Sequence, residues 1–583
     1  MNERYTSAHP LLLDGAMGTY YASLPGRAME RCELANLEHP EEIAAIHRAY
    51  LEAGCRAIKT NTFSVGTDLL LGEEALADSL LDAGSRLALD AARPYGALVF
   101  GDMGPISASA AHTPGELYIR QARRFLSHGI DHFLAETLSD DEGIRELAEF
   151  LRGSGAFLLV SFAVGADGVT REGRSGRELF RRTAQTPGVD AVGFNCMSGP
   201  GHLLRFIRSL EPADTMLSVM PNAGYPTVLG RRTVYQGQPE YFARKLEQIA
   251  EAGAAIVGGC CGTTPEHIAR AAALLAQRAA APAAVPARPA PRTERRAPAD
   301  NALWRKLEEG GRVTAVELDP PENDDAAPFL EGARRLRDAG ADVLTIADCP
   351  VGRPRADSSL LACKVRREVG IETLPHMTCR DRNLNAIKAL LLGLSMEGVH
   401  SVLLVTGDPI PSEARDEVKS VFNFNSRKLA RYIRALDADT LATPFRLFGA
   451  LNVNAANFAM QLRLAQEKEE CGISGFLTQP VLSPEALQNL ELARRTLHGK
   501  LLGGIYPVVS YRNACFLNNE IAGIRVSDEI LALYEGKDRE AGEEIAVAVS
   551  ARIARELRPC TDGLYLMTPF RRIGLMERIL REI

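Results

Sequence analysis

The stretch Ala255-Ile-Val-Gly-Gly-Cys-Cys-Gly-Thr-Thr264 is typical of a short apolar strand that runs directly into a glycine turn bearing two adjacent cysteines. Seven similar apolar runs precede it, and polar or glycine residues follow each one. Continuous hydrophobicity is typical of parallel strands that are buried on both faces. Polar residues at the carboxyl ends of eight such strands predict a (β/α)8 barrel whose active site lies at those ends. The eight runs are Leu11–Leu13, Ala57–Lys59, Leu98–Phe100, His132–Leu134, Phe157–Phe162, Ala191–Phe194, Met216–Val219 and Ala255–Val257.

The second half of the chain contains another eight apolar runs of the same kind. Between the halves, residues Ala276 to Asn301 are almost wholly Ala, Pro and Arg, a composition that cannot bury a core and favours an extended linker. We predict an α/β fold of two tandem (β/α)8 TIM barrels, with domains at 1–277 and 302–583 and a linker at 278–301. No G-x-G-x-x-G follows a strand, so a Rossmann fold is not indicated. The second set of strands is Val313–Leu318, Val343–Ala347, Thr373–Thr378, Val402–Thr406, Phe448–Asn452, Gly475–Thr478, Leu501–Tyr506 and Leu564–Met567.

Composition excludes several classes of protein. The chain has 583 residues and a formal net charge of −7, so it lacks the basic surplus that nucleic acid binding requires. Eleven cysteines are far from the density of a disulfide scaffold, and the odd number favours free thiols in a reducing compartment. The N-terminus lacks the pattern of a signal peptide, and no apolar run reaches about 18 residues. We therefore expect a soluble, cytoplasmic protein that does not associate with membranes.

The adjacent pair Cys260 and Cys261 is the most informative local feature. Neighbouring cysteines do not readily form an ordinary disulfide, because the geometry strains the intervening peptide. A third cysteine, Cys196, ends another apolar strand in Ala191-Val-Gly-Phe-Asn-Cys196. Three sulfurs with an open fourth position fit a catalytic zinc site better than a structural one. Two alternatives remain: thiols that simply pack at strand ends, or a strained vicinal disulfide that acts as a redox switch.

Five ordered motifs at the predicted strand ends closely resemble the homocysteine S-methyltransferase family, over roughly Leu11 to Leu275. The resemblance implies that Cys196, Cys260 and Cys261 bind Zn2+. An alkyl thiol has a pKa of about 8.5, and zinc coordination deprotonates it while leaving a usable lone pair. Homocysteine would then take the open metal position and attack an activated methyl group. The motifs are Asp14-Gly-Ala-Met-Gly-Thr19, Asn61-Thr-Phe63, Gly193-Phe-Asn-Cys196, Pro221-Asn-Ala-Gly224 and Gly258-Gly-Cys-Cys-Gly262.

The charged end of the amino acid substrate needs its own partners. The turn that follows the first strand offers backbone amides, and the carboxylate of Asp14 precedes it. The resemblance of Ala135-Glu-Thr-Leu-Ser139 to the family adds Glu136. The predicted substrate-binding residues of the first barrel are Asp14, Gly15, Ala16, Thr19 and Glu136.

The second barrel carries motifs that resemble the 5,10-methylenetetrahydrofolate reductases, a flavin-containing barrel family, over about Val313 to Ile573. A carboxylate at the end of the first strand, before a Pro-Pro turn, is well placed for acid–base work. In two places the sequence differs from the usual pattern: the first strand ends in Val-Glu-Leu-Asp-Pro-Pro, and the fifth has Asn452 and Asn454 where an aromatic residue and Glu are usual. The motifs are Thr314-Ala-Val-Glu-Leu-Asp-Pro-Pro321, Pro375-His-Met-Thr-Cys379, Val405-Thr-Gly-Asp-Pro409, Asn452-Val-Asn454 and Phe476-Leu-Thr-Gln-Pro480.

This second resemblance implies a ping-pong reduction, in which NAD(P)H reduces FAD and the reduced flavin reduces the folate. Glu317 would be the general acid that protonates N10 of methylenetetrahydrofolate. Asp408 would lie near both the flavin and the pterin, and Gln479 would contact folate. The residues implied to hold FAD are His376, Thr378, Asp408 and Lys468. The flavin carries the organic chemistry, and the protein supplies positioning and electrostatics.

Taken together, the two halves predict a bifunctional enzyme that reduces methylenetetrahydrofolate to methyltetrahydrofolate and methylates homocysteine. The methyl donor stays open among methyltetrahydrofolate, S-methylmethionine, S-adenosylmethionine and a separate corrinoid protein, and a homo-oligomer is equally open. The alternative is a sulfonium-dependent homocysteine methyltransferase whose second barrel is a non-catalytic, flavin- and folate-binding regulatory module.

Overall fold

The chain folds into two compact units, Met1–Thr293 and Glu294–Ile583. The structure is a computed structural model that describes residues 5–27, 31–107, 111–224, 226–229, 232–235, 237–279, 299–410, 419–437, 440–521 and 523–583. Most of the predicted linker at 278–301 lies outside the described residues, so its boundaries stay a prediction. None of the helices within the described ranges is both long enough and apolar enough to cross a bilayer.

The first unit contains an eight-stranded parallel sheet in the order β1-β10-β7-β6-β5-β4-β3-β2. A bridge between Leu13 and Ala57 joins the two ends of the sheet and closes the barrel. An antiparallel hairpin, β8–β9, follows β7 and was not predicted from the sequence. The strands are β1 Leu11–Leu12, β2 Ala57–Lys59, β3 Leu98–Met103, β4 His132–Leu138, β5 Phe157–Phe162, β6 Ala191–Asn195, β7 Met216–Met220, β8 Pro226–Leu229, β9 Arg232–Tyr235 and β10 Ala254–Val257.

Helices surround this barrel and bury an apolar face against the strands. A capping box starts one of them: Thr113 Oγ1 accepts from the Glu116 amide, and the Glu116 carboxylate accepts from the Thr113 amide. The helices are α1 Gly18–Tyr21, α2 Ala35–Glu38, α3 Pro40–Glu52, α4 Val65–Leu70, α5 Glu74–Ala92, α6 Pro114–Ser127, α7 Ile144–Arg152, α8 Gly176–Ala184, α9 Pro200–Ile207, α10 Pro239–Glu251 and α11 Pro265–Ala279.

The second unit is a closed barrel of eight parallel strands in chain order, β11 to β18. The strands are β11 Val313–Glu317, β12 Val343–Ile346, β13 Glu372–Thr378, β14 Ser401–Val405, β15 Arg446–Leu451, β16 Gly475–Pro480, β17 Lys500–Ile505 and β18 Gly563–Met567. The helices are α12 Ala302–Glu308, α13 Ala327–Asp338, α14 Ser358–Glu368, α15 Leu384–Met396, α16 Ser426–Asp437, α17 Phe458–Glu470, α18 Pro484–Thr496, α19 Tyr511–Glu520, α20 Asp528–Ala532, α21 Arg539–Leu557 and α22 Ile573–Glu582.

The predicted fold class is confirmed, because each unit is an eight-stranded parallel barrel and every predicted strand overlaps an observed one. In the second unit, α12 packs Trp304 and Leu307 against inward-facing residues such as Val313 and Phe448. This apolar packing fills the amino-terminal end of the barrel. Polar side chains are therefore concentrated at the opposite, carboxyl end, as they are in other (β/α)8 barrels.

Candidate functional site

A cavity of about 650 Å³ opens at the carboxyl ends of the first barrel's strands. It collects seven of the predicted residues, and it also takes in Lys59 and Asp102, which sequence reasoning did not select. Asp14 does not line the cavity; it is 1% exposed and lies behind Lys59. The predicted residues that line the cavity are Gly15, Ala16, Thr19, Glu136, Cys196, Cys260 and Cys261.

The three predicted cysteines converge on one point of this cavity. Their sulfur atoms all lie within 4.8 Å of one another, and Cys196 Sγ is 3.7 Å from Cys261 Sγ. None of the three forms a disulfide. Cys196 adopts a left-handed backbone conformation with φ of 56°, a region that is costly for a non-glycine residue and occurs most often at functional sites. The turn at the end of β6 thus brings its thiol to the pair that follows β10.

Backbone hydrogen bonds hold the Cys260–Cys261 turn against the neighbouring strand end. The Cys260 amide donates to Pro221 O at 2.9 Å, and the Ala223 amide donates to Cys261 O at 2.9 Å. Thr263 Oγ1 donates back to Cys260 O at 2.7 Å. A Cβ on Gly259 would lie 2.4 Å from that same hydroxyl oxygen, so only glycine fits there. The Pro221-Asn-Ala-Gly224 motif therefore supports the two thiols.

The environment of the thiols bears on whether a metal fits. A hydrogen bond to Cys260 lowers the pKa of Cys196, but the bond to Cys261 and burial outweigh it and raise the pKa to about 12. For Cys261, the bond with Cys196 lowers the pKa, but the bond with Cys260 and burial raise it to about 12. Three clustered thiols thus resist ionisation until a cation stabilises the thiolates. A soft-ligand donor set of this kind fits zinc.

Lys59 is a buried cation that lines the same cavity. Its Nζ lies 3.0 Å from Asp14 Oδ1, and its amide donates to Asp14 Oδ2 at 3.0 Å. Burial lowers the pKa of Lys59, but the negative charges of Asp14, Glu136 and Asp102 outweigh burial and raise it. Burial raises the pKa of Glu136, while Lys59 lowers it. One ammonium therefore faces three buried carboxyl groups, whose pKa values burial raises.

Asn195 connects the predicted carboxylate to the thiols. Its Nδ2 donates to Glu136 Oε2 at 3.0 Å and to Thr137 Oγ1 at 2.8 Å, and it lies 3.8 Å from Cys260 Sγ. Its Oδ1 accepts from the Thr137 amide at 2.9 Å, which stabilises the left-handed conformation of Thr137, with φ of 61°. The side chain is fully buried. Its position directly before Cys196 was the available sequence signal, and we did not select it.

Two of the predicted substrate-binding residues, Ala16 and Thr19, tie the Gly15–Thr19 turn to the thiol turn. The Ala16 amide donates to Thr263 Oγ1 at 3.0 Å, and Thr19 Oγ1 accepts from the Gly262 amide at 2.9 Å. The Ala16 amide is therefore already engaged within the protein. A Cβ on Gly15 would lie 2.6 Å from Thr263 Oγ1, so this glycine permits the close approach of the two turns.

In the second unit, Glu317 and His376 face each other at the carboxyl end of the barrel. They share the inward face with the apolar residues two positions earlier on their strands, Ala315 and Leu374. His376 Nε2 lies 3.6 Å from Glu317 Oε2, and the Tyr565 hydroxyl donates to Glu317 Oε2. Burial, and secondarily Asp319, raise the pKa of Glu317 to about 7, although the Tyr565 hydrogen bond lowers it. Glu317 can therefore carry a proton near neutral pH.

Thr378 belongs to a buried polar cluster at the end of β13. Its amide and hydroxyl donate to Asp348 Oδ2 at 2.9 and 3.0 Å, and Arg382 pairs with the same carboxylate at 2.5 Å. Arg380, which is 2% exposed, donates to the carbonyl of Asp408 at 2.8 Å. This cluster fixes the loop that carries the predicted residue Asp408. Asp348, Arg380 and Arg382 were missed because their partners follow different strands.

The other predicted residues of the second barrel are more widely spread. Lys468, on α17, donates to Ala450 O at 2.7 Å, and burial, with a smaller contribution from Arg427, lowers its pKa to about 8. It packs beside Gly449 on the outer side of β15. Gln479 is half-buried near the end of β16.

The Asn452 and Asn454 departure from the family pattern has a structural role in the chain. Asn452 Oδ1 accepts from the Asn454 amide at 2.9 Å, while Asn454 Nδ2 donates to Pro480 O at 2.9 Å and to Gly523 O at 3.0 Å. The two asparagines thus join the ends of β15 and β16 to the loop at Gly523.

The flavin that the family resemblance implies can be tested against buried polar atoms at this end of the barrel. His376 Nε2 is buried and makes no hydrogen bond among the described residues, and burial lowers the pKa of His376 to about 4. A neutral imidazole with a nitrogen available for a hydrogen bond fits a polar, aromatic cofactor.

Family models match both units. Residues 11–275 match the model for homocysteine S-methyltransferase, and residues 303–583 match the model for methylenetetrahydrofolate reductase. Two methionine synthases, from Mycobacterium leprae and Mycobacterium tuberculosis, are each 34% identical to this chain over 295 and 293 residues, respectively. Each match covers 45% of this chain and 24% of the relative. The chain thus spans about a quarter of the length of these curated relatives.

Crystal structures of the homocysteine methyltransferase MmuM from Escherichia coli are also similar to this chain. The metallated form is 26% identical, with a TM-score of 0.37, and the oxidized form is 27% identical, with a TM-score of 0.37. Each match covers 46% of this chain and 96% of the other. With one family model on each unit, the chain consists of a homocysteine S-methyltransferase domain followed by a methylenetetrahydrofolate reductase domain.

Proposed function

We propose that this chain is a bifunctional enzyme of one-carbon metabolism. The first unit would methylate homocysteine to methionine, and the second would reduce 5,10-methylenetetrahydrofolate to 5-methyltetrahydrofolate. The observation that carries the proposal is the convergence of three thiols in a cavity that also holds a buried carboxylate, Glu136. The match of the second unit to a folate reductase family adds the other activity.

In the first unit, Cys196, Cys260 and Cys261 would hold Zn2+, which when bound supplies the positive charge that keeps the sulfur of homocysteine as a thiolate. Glu136 would accept hydrogen bonds from the substrate ammonium. Asp14 is buried behind Lys59 and would influence the substrate only through its ion pair with that lysine. Gly15, Ala16 and Thr19 would shape the wall that meets the substrate carboxylate. A substrate bound in the cavity would displace water and so strengthen each of these electrostatic contacts.

In the second unit, Glu317 would give its proton to N10 of the folate as the bond from N10 to the methylene carbon opens. FAD, reduced by NAD(P)H, would supply the hydride when bound. His376, Thr378 and Asp408 would hold or orient the flavin, and Gln479 would contact the folate. Lys468 lies on the outer side of β15 and would act on the flavin only through that strand, to which it donates a hydrogen bond. A carboxyl group with a pKa of about 7 suits this role, because it is partly protonated at neutral pH and can still release the proton.

The methyl donor of the first unit is part of the same proposal. The candidates are methyltetrahydrofolate, S-methylmethionine, S-adenosylmethionine and a corrinoid protein supplied in trans. A screen with labelled homocysteine and each donor, with and without added cobalamin, would identify it. Activity with a sulfonium alone, together with a second unit that binds FAD but does not oxidise NAD(P)H with methylenetetrahydrofolate, would favour the alternative of a regulatory second barrel.

Replacement of one cysteine tests the metal site. We expect Cys261→Ser to lose bound zinc and homocysteine methylation, while NAD(P)H oxidation with methylenetetrahydrofolate continues. Cys55→Ser is the matched control, because Cys55 is a buried thiol of the same unit that does not line the cavity. Equal zinc content in both variants, measured by elemental analysis, would contradict the proposed ligand set.

Replacement of the acid tests the reductase activity. We expect Glu317→Gln to let NAD(P)H reduce the flavin but to slow folate reduction by roughly 10²–10⁴-fold, the usual contribution of a general acid. Glu322→Gln is the control, because Glu322 is an exposed carboxylate near the same strand end. Folate turnover near the wild-type rate in the Glu317 variant would show that another group donates the proton.

A further inference from the structure

The second unit contains a tyrosine placed against the predicted acid from the far end of the chain. Tyr565 lies on β18, next to β11, and pairs in register with Ala315, two residues before Glu317. Its side chain is inward-facing and 6% exposed. Its hydroxyl donates to Glu317 Oε2. This hydrogen bond therefore joins the first and last strands of the barrel at its catalytic end.

The other titratable groups around Glu317 do not stabilise its charged form. His376, on β13, is 3.6 Å away and is neutral at physiological pH, because burial lowers its pKa to about 4. Asp319 raises the pKa of Glu317, and burial raises the pKa of Asp319 itself, although Arg355 and Arg571 lower it. Among the described residues, the hydrogen bond from Tyr565 is thus the contact that lowers the pKa of Glu317, in opposition to burial.

We propose that Tyr565 is a positioning residue for proton donation by Glu317: its hydroxyl holds one carboxyl oxygen and leaves the other, with its proton, facing the substrate. The inference rests on the proposed function of the second unit. When the proton passes to N10 of the folate, the Glu317 O–H bond breaks and its electron pair stays on the carboxylate. Tyr565 then donates its hydrogen bond to that newly charged group, without losing its own proton.

The effect on the acid follows from the direction of this bond. A donor that binds the charged form of a carboxyl group lowers its pKa. Loss of a hydrogen bond to a charged group should therefore raise the pKa of Glu317 by about one to two pH units. The rate of the folate step should fall by roughly tenfold or more, because the leaving carboxylate is less stable and its orientation is no longer held.

The test compares Tyr565→Phe with the full-length wild type. Tyr534→Phe is the matched control: it removes another buried hydroxyl of the same unit, one that donates to Val508 O at 2.6 Å. The first readout is the infrared band of protonated carboxyl groups, titrated with pH without substrate and assigned by comparison with Glu317→Gln. The second is the pH profile of single-turnover folate reduction, and the third is flavin reduction by NAD(P)H.

We expect Tyr565→Phe to shift the infrared titration and the alkaline limb of the folate profile upward together, while flavin reduction stays at the wild-type rate. Site-specific 3-fluorotyrosine at position 565, a stronger donor, should shift both downward, and this variant keeps the fold if phenylalanine does not. Unchanged titrations in both variants would overturn the inference. If neither the wild type nor any variant reduces folate, the proposed function fails. The infrared titration still decides whether the Tyr565 hydroxyl lowers the pKa of Glu317.

Discussion

Lys59 gives the sharpest prediction about the stability of the first unit. Its ammonium lies 3.0 Å from Asp14 Oδ1, and the exposed fractions of the two side chains are 8% and 2%. Lys59→Met keeps the length of the side chain and removes the charge. Loss of one member of a buried ion pair typically costs about 3–5 kcal/mol, because the other charge stays buried without a partner. We expect the free energy of unfolding of the first unit to fall by this amount at neutral pH.

The cost should depend on pH in a defined direction. Without Lys59, burial holds the pKa of Asp14 still further above its ordinary value, so the folded variant prefers the protonated acid. A group whose pKa is raised in the folded state contributes stability below its unfolded pKa, and that contribution is lost as the pH rises. The deficit of Lys59→Met relative to wild type should therefore be small near pH 4 and should grow toward neutral pH. The double variant Lys59→Met, Asp14→Asn should recover most of it.

Urea titration can assign this effect to one unit. Far-ultraviolet circular dichroism follows both units, whereas the single tryptophan, Trp304, lies in the second. Lys59→Met should displace the dichroism transition and leave the tryptophan fluorescence transition in place. Lys245→Met is the control, because Lys245 is a partly exposed lysine of the same unit that donates to Gln248. A deficit below about 1 kcal/mol, or no recovery in the double variant, would refute the ion-pair reasoning.

Three further predictions concern other contacts. Gly15→Ala should destabilise the first unit and weaken zinc binding, because the added Cβ would lie 2.6 Å from Thr263 Oγ1. Gly18→Ala is the control: its Cβ would meet nothing within 4 Å, so the thermal unfolding temperature and the zinc content should not change. In the wild type, the folded state holds the pKa of Lys468 low, so the stability of the second unit should rise by up to about 3 kcal/mol between about pH 8 and 10.5. Lys468→Met should abolish this rise, which urea unfolding followed by Trp304 fluorescence measures. The same pH dependence of stability in the variant would contradict the assignment. Asn195→Ala should raise the KM for homocysteine more than it lowers zinc content, because Nδ2 donates to Glu136, and the reverse order would show that Asn195 mainly supports the thiols.

The barrel strands could be predicted because their signal is local. A strand buried on both faces is apolar along nearly its whole length, so three to six consecutive residues are enough to predict it. The hairpin β8–β9 was missed because a two-stranded ribbon outside the barrel has no such continuous run. Closure of the first barrel through Leu13 and Ala57 was likewise a matter of tertiary contact.

The candidate sites divide along the same line. Residue type and strand-end position were enough to select Cys196, Cys260 and Cys261, because thiols are chemically distinctive and parallel strands place their carboxyl ends together. The same reasoning selected Glu317 but not its hydrogen-bond partner. Tyr565 is 248 residues away in the chain, and as a residue of an apolar strand it carries no local sign of its contact.

Local hydrophobicity and the chemistry of single residue types were therefore enough to predict the architecture, the three thiols and the carboxyl group of Glu317. The electrostatic setting of those groups depends instead on tertiary contacts. Lys59 balances Asp14 and Glu136, and Tyr565 binds Glu317, because strands distant in the chain meet at one end of a barrel. Charge balance and proton affinity depend on distances across that end, and distances of this kind cannot be read from spacing along the chain.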